Sequence, residues 1–587
     1  MGHYTNHKSN YDKHPFVAVV GREQECWTGA EVASTLGARA ESMGAKTVVI
    51  ECYQGVDMAA LERLLAEAFP AAILLCSHRA MFSSEVLEAL FFDEVTDDEI
   101  FGYLTKRNME SFFAPDRVAT LRSQIASCEG LVVVYGVGAA YIAPQYDLLV
   151  YADMARWEIQ RRFRNNTLGN IGVDNANERA SLKYKRAFFV DWRICDRFKR
   201  TLLDDWDFVL DMNCTEEPKL ATGDAVREGL RIAAHRPFRV VPFFDPGPWG
   251  GQWMREVCDL GEDKPNYAWC FDCVPEENSL LLGFGDVKFE IPSIDLVFAH
   301  PKELLGEAVY GRFGAEFPIR FDFLDTMEGG NLSLQVHPLT DYIQQQFGMH
   351  YTQDESYYLL DATPDAGVYL GLREGVQPQD MLSALEVAQS SGEFDAERFV
   401  GRYPVRKHDH VLIPAGTIHC SGKGGMVLEI SATPFIFTFK LWDWGRLGLD
   451  GRPRPINIQH GSKVIQWDRS EEWVKRELLN RVERVAEGEG WIEERTGLHE
   501  REFIETRRHW FTGKVSHHTG GGVNVLNLVE GREAVVESPT GSFEPFVIHY
   551  AETFIIPAEV GEYTIRPYGP SEGQQCATIK AYVRHNP

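Results

Sequence analysis

The hydrophobic period of this chain changes once, and that change limits the folds open to it. Through residues 15–215, short apolar runs alternate with segments of helical period. The runs are "FVAVVG" (16–21), "KTVVIE" (46–51), "AAILLC" (71–76), "GLVVVYG" (130–136) and "DLLVYAD" (147–153). Helical patterns fall at 29–43, 58–68 and 153–164, among other places. Strands alternating with helices predict a parallel sheet covered on both faces. Residues 214–240 are polar, with Pro and Gly, and read as a linker with a connecting helix. From about 241 the text is mainly β, in short strands separated by Gly, Pro and Asp turns. Such spacing predicts a barrel or sandwich. Helical inserts are expected at 378–400 and 469–500. The shape "IPA" recurs within 410–419 and 552–562, a hint of two related barrels. The expected layout is therefore multidomain. An α/β parallel-sheet domain covers 1–215 and a linker 216–240. A β-barrel with a helical insert covers 241–465. A helical connector and a second β-barrel cover 466–587.

With 587 residues, two to four domains are expected. The formal net charge is −27, from 59 basic and 86 acidic residues. That balance argues against a nucleic-acid or anionic-membrane surface, though not against a small basic pocket. No apolar run reaches the length of a membrane span, and the N-terminal text is polar. The 11 cysteines are odd in number and sparse, so a reduced, cytoplasmic setting is expected. The lone CxxC, Cys270–Cys273, reads as two ordinary half-buried thiols.

One strand stands out in the β-rich half. "NLSLQVHP" (331–338) places Gln335 and His337 two apart, on one face of a strand that is otherwise apolar. Buried polar groups need partners. Glu355 opens "ESYYLLDA", and His419 ends "HVLIPAGTIHC". Brought together inside a barrel, two imidazoles, a carboxylate and an amide would suit Zn²⁺ or another borderline divalent ion, with a position left for water or substrate. Spacing alone favours the plainer reading, two core histidines and a hydrogen-bonded glutamine.

The surrounding text sharpens this. "PWGGQW" (248–253), "FPIRFDFLDTMEGGNLSLQVHP" (317–338), "ESYYLLDATPDAGVYLGLREG" (355–375), "IPAGTIHCSGKGGMVLEIS" (413–431) and "KLWDWGRLGLDGRPRPINIQH" (440–460) occur in this order. Together they resemble class I phosphomannose isomerases, zinc-dependent enzymes of the cupin type, from about 241 to 587. The resemblance implies a double cupin of jelly-roll barrels, the second metal-free. It implies one Zn²⁺ held by Gln335, His337, Glu355 and His419. It implies aldose–ketose isomerisation through a cis-enediol, mannose 6-phosphate to fructose 6-phosphate. Glu429 of "VLEIS" matches a family glutamate near the sugar; it is either the proton shuttle or a buried structural carboxylate. Asp443 and Arg446 match the family's "YDW-R" text, with Arg446 a catalytic candidate and a structural ion pair the alternative. Ser333 joins the substrate-binding candidates.

Three cations of the family pattern are altered. Asp322 stands where "FKFLD" carries lysine, Gln353 where "KTE" carries lysine, and Lys440 where an arginine precedes "YDW". Lys440 keeps both a catalytic and a substrate-binding candidacy. Each charge-assisted hydrogen bond to a phosphate contributes about 1.5–3 kcal/mol. The changes therefore predict either phosphate binding from new positions, with Arg320 as a compensating charge, or a different sugar. The expected partner is a small sugar or sugar phosphate. The competing expectation is a sugar-binding regulatory protein without turnover.

The N-terminal text "YDLLVYADMARWEIQRRFRNN" (146–166) resembles nucleoside/uridine-kinase-like P-loop folds. Arg156, Arg161, Arg162 and Arg164 would match phosphate-facing arginines. The Walker A loop should follow "FVAVVG", but "GREQECWTGAEVAS" (21–34) lacks G-K-[ST]. Kinase activity is not expected. The domain reads either as structural or as a nucleotide- or sugar-phosphate-binding regulator.

Overall fold

The computed structural model describes Tyr4, residues 7–447, 456–497 and 499–584. Part of the 440–460 motif lies outside the described residues. The chain divides into two compact units. One is formed by Phe16–Ala233 with Glu276–His300, the other by Met1–Pro15, Ala234–Pro275 and Pro301–Pro587. The chain thus passes between units several times, where the sequence suggested a single passage. Residues 216–240, expected as a linker with a connecting helix, hold helix Gly223–Ala234 and also strand Lys219–Thr222, which joins the sheet of the α/β unit.

The α/β unit is built on a seven-stranded sheet. Its order is Cys26–Thr28, Lys219–Thr222, Phe208–Asp211, Leu148–Asp153, Thr47–Cys52, Val132–Gly136, Ile73–Cys76. The last five pair in parallel, and the first two are antiparallel additions. The Val-rich central strands are buried along nearly their whole length, as strands covered on both faces must be. Phe16–Ala18 is outside this sheet. It pairs with Ser279–Phe284, which pairs in turn with Val287–Pro292. The excursion 276–300 is fastened by buried Lys199, whose Nζ lies 2.8 Å from both Asp153 and Asp295.

This corrects the phosphate-loop expectation, which was attached to a strand outside the parallel sheet. The arginine group is likewise committed to the fold. Arg156 is buried, 2.5 Å from Asp196 and stacked over Trp192. Arg161 and Arg162 both clasp Glu158. Arg162 also donates to the carbonyls of Gly55, Met212 and Asn213. Arg164 is exposed. Two helix N-termini, where an anion would be favoured, are filled by the chain's own carboxylates. Asp57 accepts from the amides of Ala59 and Ala60, and Glu51 from those of Gly138 and Ala140.

The other unit holds two barrels, each made of two antiparallel sheets. The first pairs a six-stranded sheet with a five-stranded one. Glu355–Ala362, Gly425–Ala432 and Ile319–Asp325 are adjacent in the former; His419–Ser421, Leu334–Val336 and Phe439–Trp442 are adjacent in the latter. The second pairs six strands with four and closes on Leu526, Leu528, Phe511, Ile548, Phe554 and Ile565. The expected insert at 378–400 is helix Pro378–Ser391 followed by Ala396–Phe399. Among its described residues, the expected helical stretch 469–500 is helical only at Glu471–Glu477. Strands Glu483–Gly488 and Trp491–Gly497 then form a hairpin of the second barrel. Gly490, at φ +75°, makes that turn. Cys270 and Cys273, expected half-buried, are fully buried thiols outside any disulfide, on one bulged strand. Among the described residues, no helix is long and apolar enough to cross a membrane.

Candidate metal centre

Gln335 and His337 leave the short strand Leu334–Val336 and its end on one face. His419 begins the neighbouring strand, opposite Gln335 in register. Glu355 opens a strand of the facing sheet. Both histidines and Glu355 are 0–1% exposed and Gln335 is 8% exposed. Ligand atoms of His337, Glu355 and His419 all lie within 4.8 Å of one another.

The imidazoles are oriented from behind. His337 Nδ1 is 3.2 Å from the Phe437 carbonyl, and His419 Nδ1 is 2.9 Å from the Thr417 carbonyl. A carbonyl only accepts, so each Nδ1 carries the hydrogen and each Nε2 presents a lone pair. Those lone pairs face one carboxylate: His337 Nε2 is 3.1 Å from Glu355 Oε2 and His419 Nε2 is 2.7 Å from Oε1. Yet His337 Nε2 and Glu355 Oε1 have no hydrogen-bond partner. Gln335 Nε2 is drawn 3.2 Å from His419 Nε2; the amide's two ends are interchangeable in such an assignment, and turning it brings its oxygen to the same point. Two imidazole Nε2 atoms converging on one buried carboxylate, with only the Gln353 amide donating to it, fit a cation, and the mixed N/O set fits a borderline divalent ion. Burial opposes ionisation of Glu355, but the two imidazoles outweigh it and hold its carboxyl well below the usual range. Burial lowers the pKa of His337; at His419 burial acts the same way, but Glu355 outweighs it and raises the pKa.

A second cluster adjoins the first. Glu429 stands between Asp322 and Tyr357 in register. Arg320, buried, lies 3.1 Å from Asp322, bonds Glu429 directly, and donates to Ser431 at 3.0 Å. Gln353 bridges the clusters, its amide 2.8 Å from Glu355 and 3.3 Å from Glu429. Burial pushes the Glu429 carboxyl up to about 7, Arg320 pulling it down and Glu355 adding to the rise. Asp322 is pushed well above its usual range by burial, against the pull of Arg320. The predicted Asp322, Gln353, Arg320 and Glu429 therefore meet beside the metal-type cluster. Lys440 is opposite Gln335 in register, so its side chain leaves on the same face of the sheet.

Ser333 and Arg446 belong to a neighbouring arrangement. Ser333 donates to Asp443 at 2.8 Å, and Arg446 clasps Asp443 at 2.6 Å while donating to the Asn331 carbonyl. Lys423 is an exposed side chain 3.9 Å from Asp365. Sequence reasoning missed Tyr357 and Ser431. Tyr357 places a buried, unpartnered hydroxyl beside the cluster, its ring 5.9 Å from that of His419, and Ser431 holds Glu429 at 3.0 Å. The signal was the strand alternation that puts 355 with 357 and 429 with 431.

Two histidines, a carboxylate and an amide converge from both sheets of a β-barrel, a donor set that could hold a divalent metal ion, beside a buried carboxyl near neutrality. Comparison with known proteins narrows the class. A segment of 239 residues is 25% identical to mannose-6-phosphate isomerase ManA of Bacillus subtilis, covering 39% of this chain and 68% of that one. A segment of 221 residues is 27% identical to the mannose-6-phosphate isomerase of Streptococcus mutans, covering 37% and 64%. About two fifths of this chain is thus homologous to those isomerases, and the matched segments span about two thirds of each relative. The crystal structure of the Bacillus subtilis mannose 6-phosphate isomerase aligns with 59% of this chain and all of its own, at a TM-score of 0.49 and 18% identity. Residues 30–235 match a family model described as "Domain of unknown function (DUF8485)".

Proposed function

We propose that the first barrel is a zinc-dependent aldose–ketose isomerase acting on a sugar phosphate, with mannose 6-phosphate and fructose 6-phosphate the first pair to test. The observation that carries this reading is the pair of carbonyl-backed imidazoles whose Nε2 atoms both turn onto Glu355. Gln335, His337, Glu355 and His419 would hold the ion. When bound, it supplies Lewis-acid stabilisation of negative charge on the sugar oxygens. The chain's own residues handle the proton. Glu429 takes the C2 proton of the aldose and returns it to C1, while the hydroxyl proton at O2 passes to O1. A carboxyl near 7 accepts and donates at neutral pH. Arg320, Ser431 and Gln353 fix its orientation.

One observation favours a second reading, sugar binding without turnover. Arg320 is already engaged by Asp322 and Glu429, which leaves it little charge for a phosphate. A panel of phosphorylated and free aldoses, assayed with the metal-loaded chain, separates these readings. Conversion of mannose 6-phosphate at an isomerase-like rate is the expected result. Conversion of free aldoses only would move the substrate class. Sugar binding with no conversion of any aldose would overturn the enzyme reading.

A further inference from the structure

The second barrel repeats the first in topology and register, and the repeat assigns each interior position of one barrel a counterpart in the other. Both carry Ile-Pro-Ala, at 413–415 and 556–558. In the first, Glu355 is opposite Ile413 and Ser431, Glu429 is opposite Tyr357 and Asp322, and Gln335 is opposite His419. In the second, Asn524 is opposite Ile556 and Tyr582, Lys580 is opposite Leu526 and Arg507, and His517 is opposite Tyr563. Asn524 therefore takes the place of Glu355, Tyr563 that of His419, and His517 that of Gln335. The metal position is closed by a hydrogen bond of 3.0 Å from the Tyr563 hydroxyl to Asn524.

The neighbouring carboxylate positions are inverted in charge. Lys580 replaces Glu429, and Arg507 replaces Asp322. Around Lys580 are polar atoms with nothing to bond. His517 Nδ1 and Nε2, His509 Nδ1 and Thr578 Oγ1 are buried without a hydrogen-bond partner. His509 is 2% and His517 6% exposed. Thr578 is opposite His509 and two residues from Lys580, so the three share a face. His517 meets His509 edge to face, ring centroids 4.5 Å apart, and stacks on Tyr563 at 5.0 Å. The nearby carboxylates are engaged: Glu505 by Arg507 and the Tyr582 hydroxyl, Glu493 by His509 at 3.4 Å and Arg507 at 3.7 Å. Lys580 makes no hydrogen bond or ion pair among the described residues, although it is only 8% exposed.

Lys580 Nζ lies 5.6 Å from the centroid of the Tyr582 ring, and an ammonium on so buried a side chain, with no ion-pair partner, favours losing its proton or gaining an anion. We propose that the mouth of the second barrel binds a small tetrahedral oxyanion, free phosphate or a phosphate monoester. Lys580 supplies the charge, and His517 and Thr578 donate neutral hydrogen bonds. Burial pushes Lys580 down to about 8, so it stays mostly charged at neutral pH, and a bound anion raises it again.

Calorimetry of the metal-loaded full chain with inorganic phosphate tests this. One saturable site, weakened at least tenfold by Lys580→Met with isomerase turnover and unfolding midpoint kept, is expected. Equal phosphate affinity in the two proteins, or no saturable binding, overturns it. Imidazole nitrogen NMR on the unaltered chain gives a reading free of folding effects. The His509 and His517 signals are expected to move during the phosphate titration, and unmoved signals overturn the proposal. A sugar phosphate that displaces inorganic phosphate from the Lys580-dependent site and binds there more tightly assigns the monoester; weaker binding of the sugar phosphate assigns the bare oxyanion.

Discussion

Glu429→Gln is expected to lower isomerase turnover by about 10²–10⁴-fold, the range for removing a positioned acid–base group. Metal content and KM should change little. The substitution is isosteric, and its carbonyl oxygen can still accept from Ser431 and Arg320, which hold the native carboxyl. What is lost is the ability to take and return a proton. The carboxyl qualifies for that role by position, since Gln353 ties it to the metal-type ligand Glu355. Steady-state kinetics with metal analysis reads both quantities. Full turnover in the variant would make Glu429 a structural carboxylate only.

Arg320→Met is expected to destabilise the unit that contains the barrels by about 3–5 kcal/mol, the cost of leaving buried charges without their partner. Arg320 faces Asp322, Glu429 and Ser431, with its guanidinium 5.3 Å from the Phe435 ring. Met fills similar volume but satisfies neither carboxylate. Both acids have pKa values raised by burial, which Arg320 opposes. Removing it drives them further toward the protonated form and lets the pair share a proton, which limits the loss. Denaturant unfolding followed by tryptophan fluorescence measures it. An unchanged midpoint would mean that the cluster contributes nothing net to stability.

The polar cluster of the first barrel was legible because a strand's two-residue period reports which residues share a face. Gln335 and His337 declared themselves that way, and ordered text supplied Glu355 and His419. The same period could have added Tyr357 and Ser431. Arg320 was legible only as a charge near Asp322. Its bond to Glu429 depends on the register between two strands about 110 residues apart in sequence, which no local pattern encodes. The N-terminal sheet was legible as alternation, but its membership was not. "FVAVVG" is as apolar as the central strands, and its pairing with a hairpin more than 260 residues downstream is a tertiary choice. The arginines of 156–164 looked available because charge is visible in sequence and its partners are not. Glu158, Asp196 and three carbonyls take them up. The stretch 483–497 is rich in Glu and Arg, which suit a helix. Gly490 and cross-strand pairing made it a hairpin instead.

The most direct test of the central claim is a zinc titration of the metal-stripped chain, with aldose-to-ketose conversion followed by NMR. Conversion that rises with the ion to saturation, and is absent from His419→Ala at every zinc concentration, is the predicted result. Conversion that is independent of zinc, or that survives in His419→Ala, would contradict it.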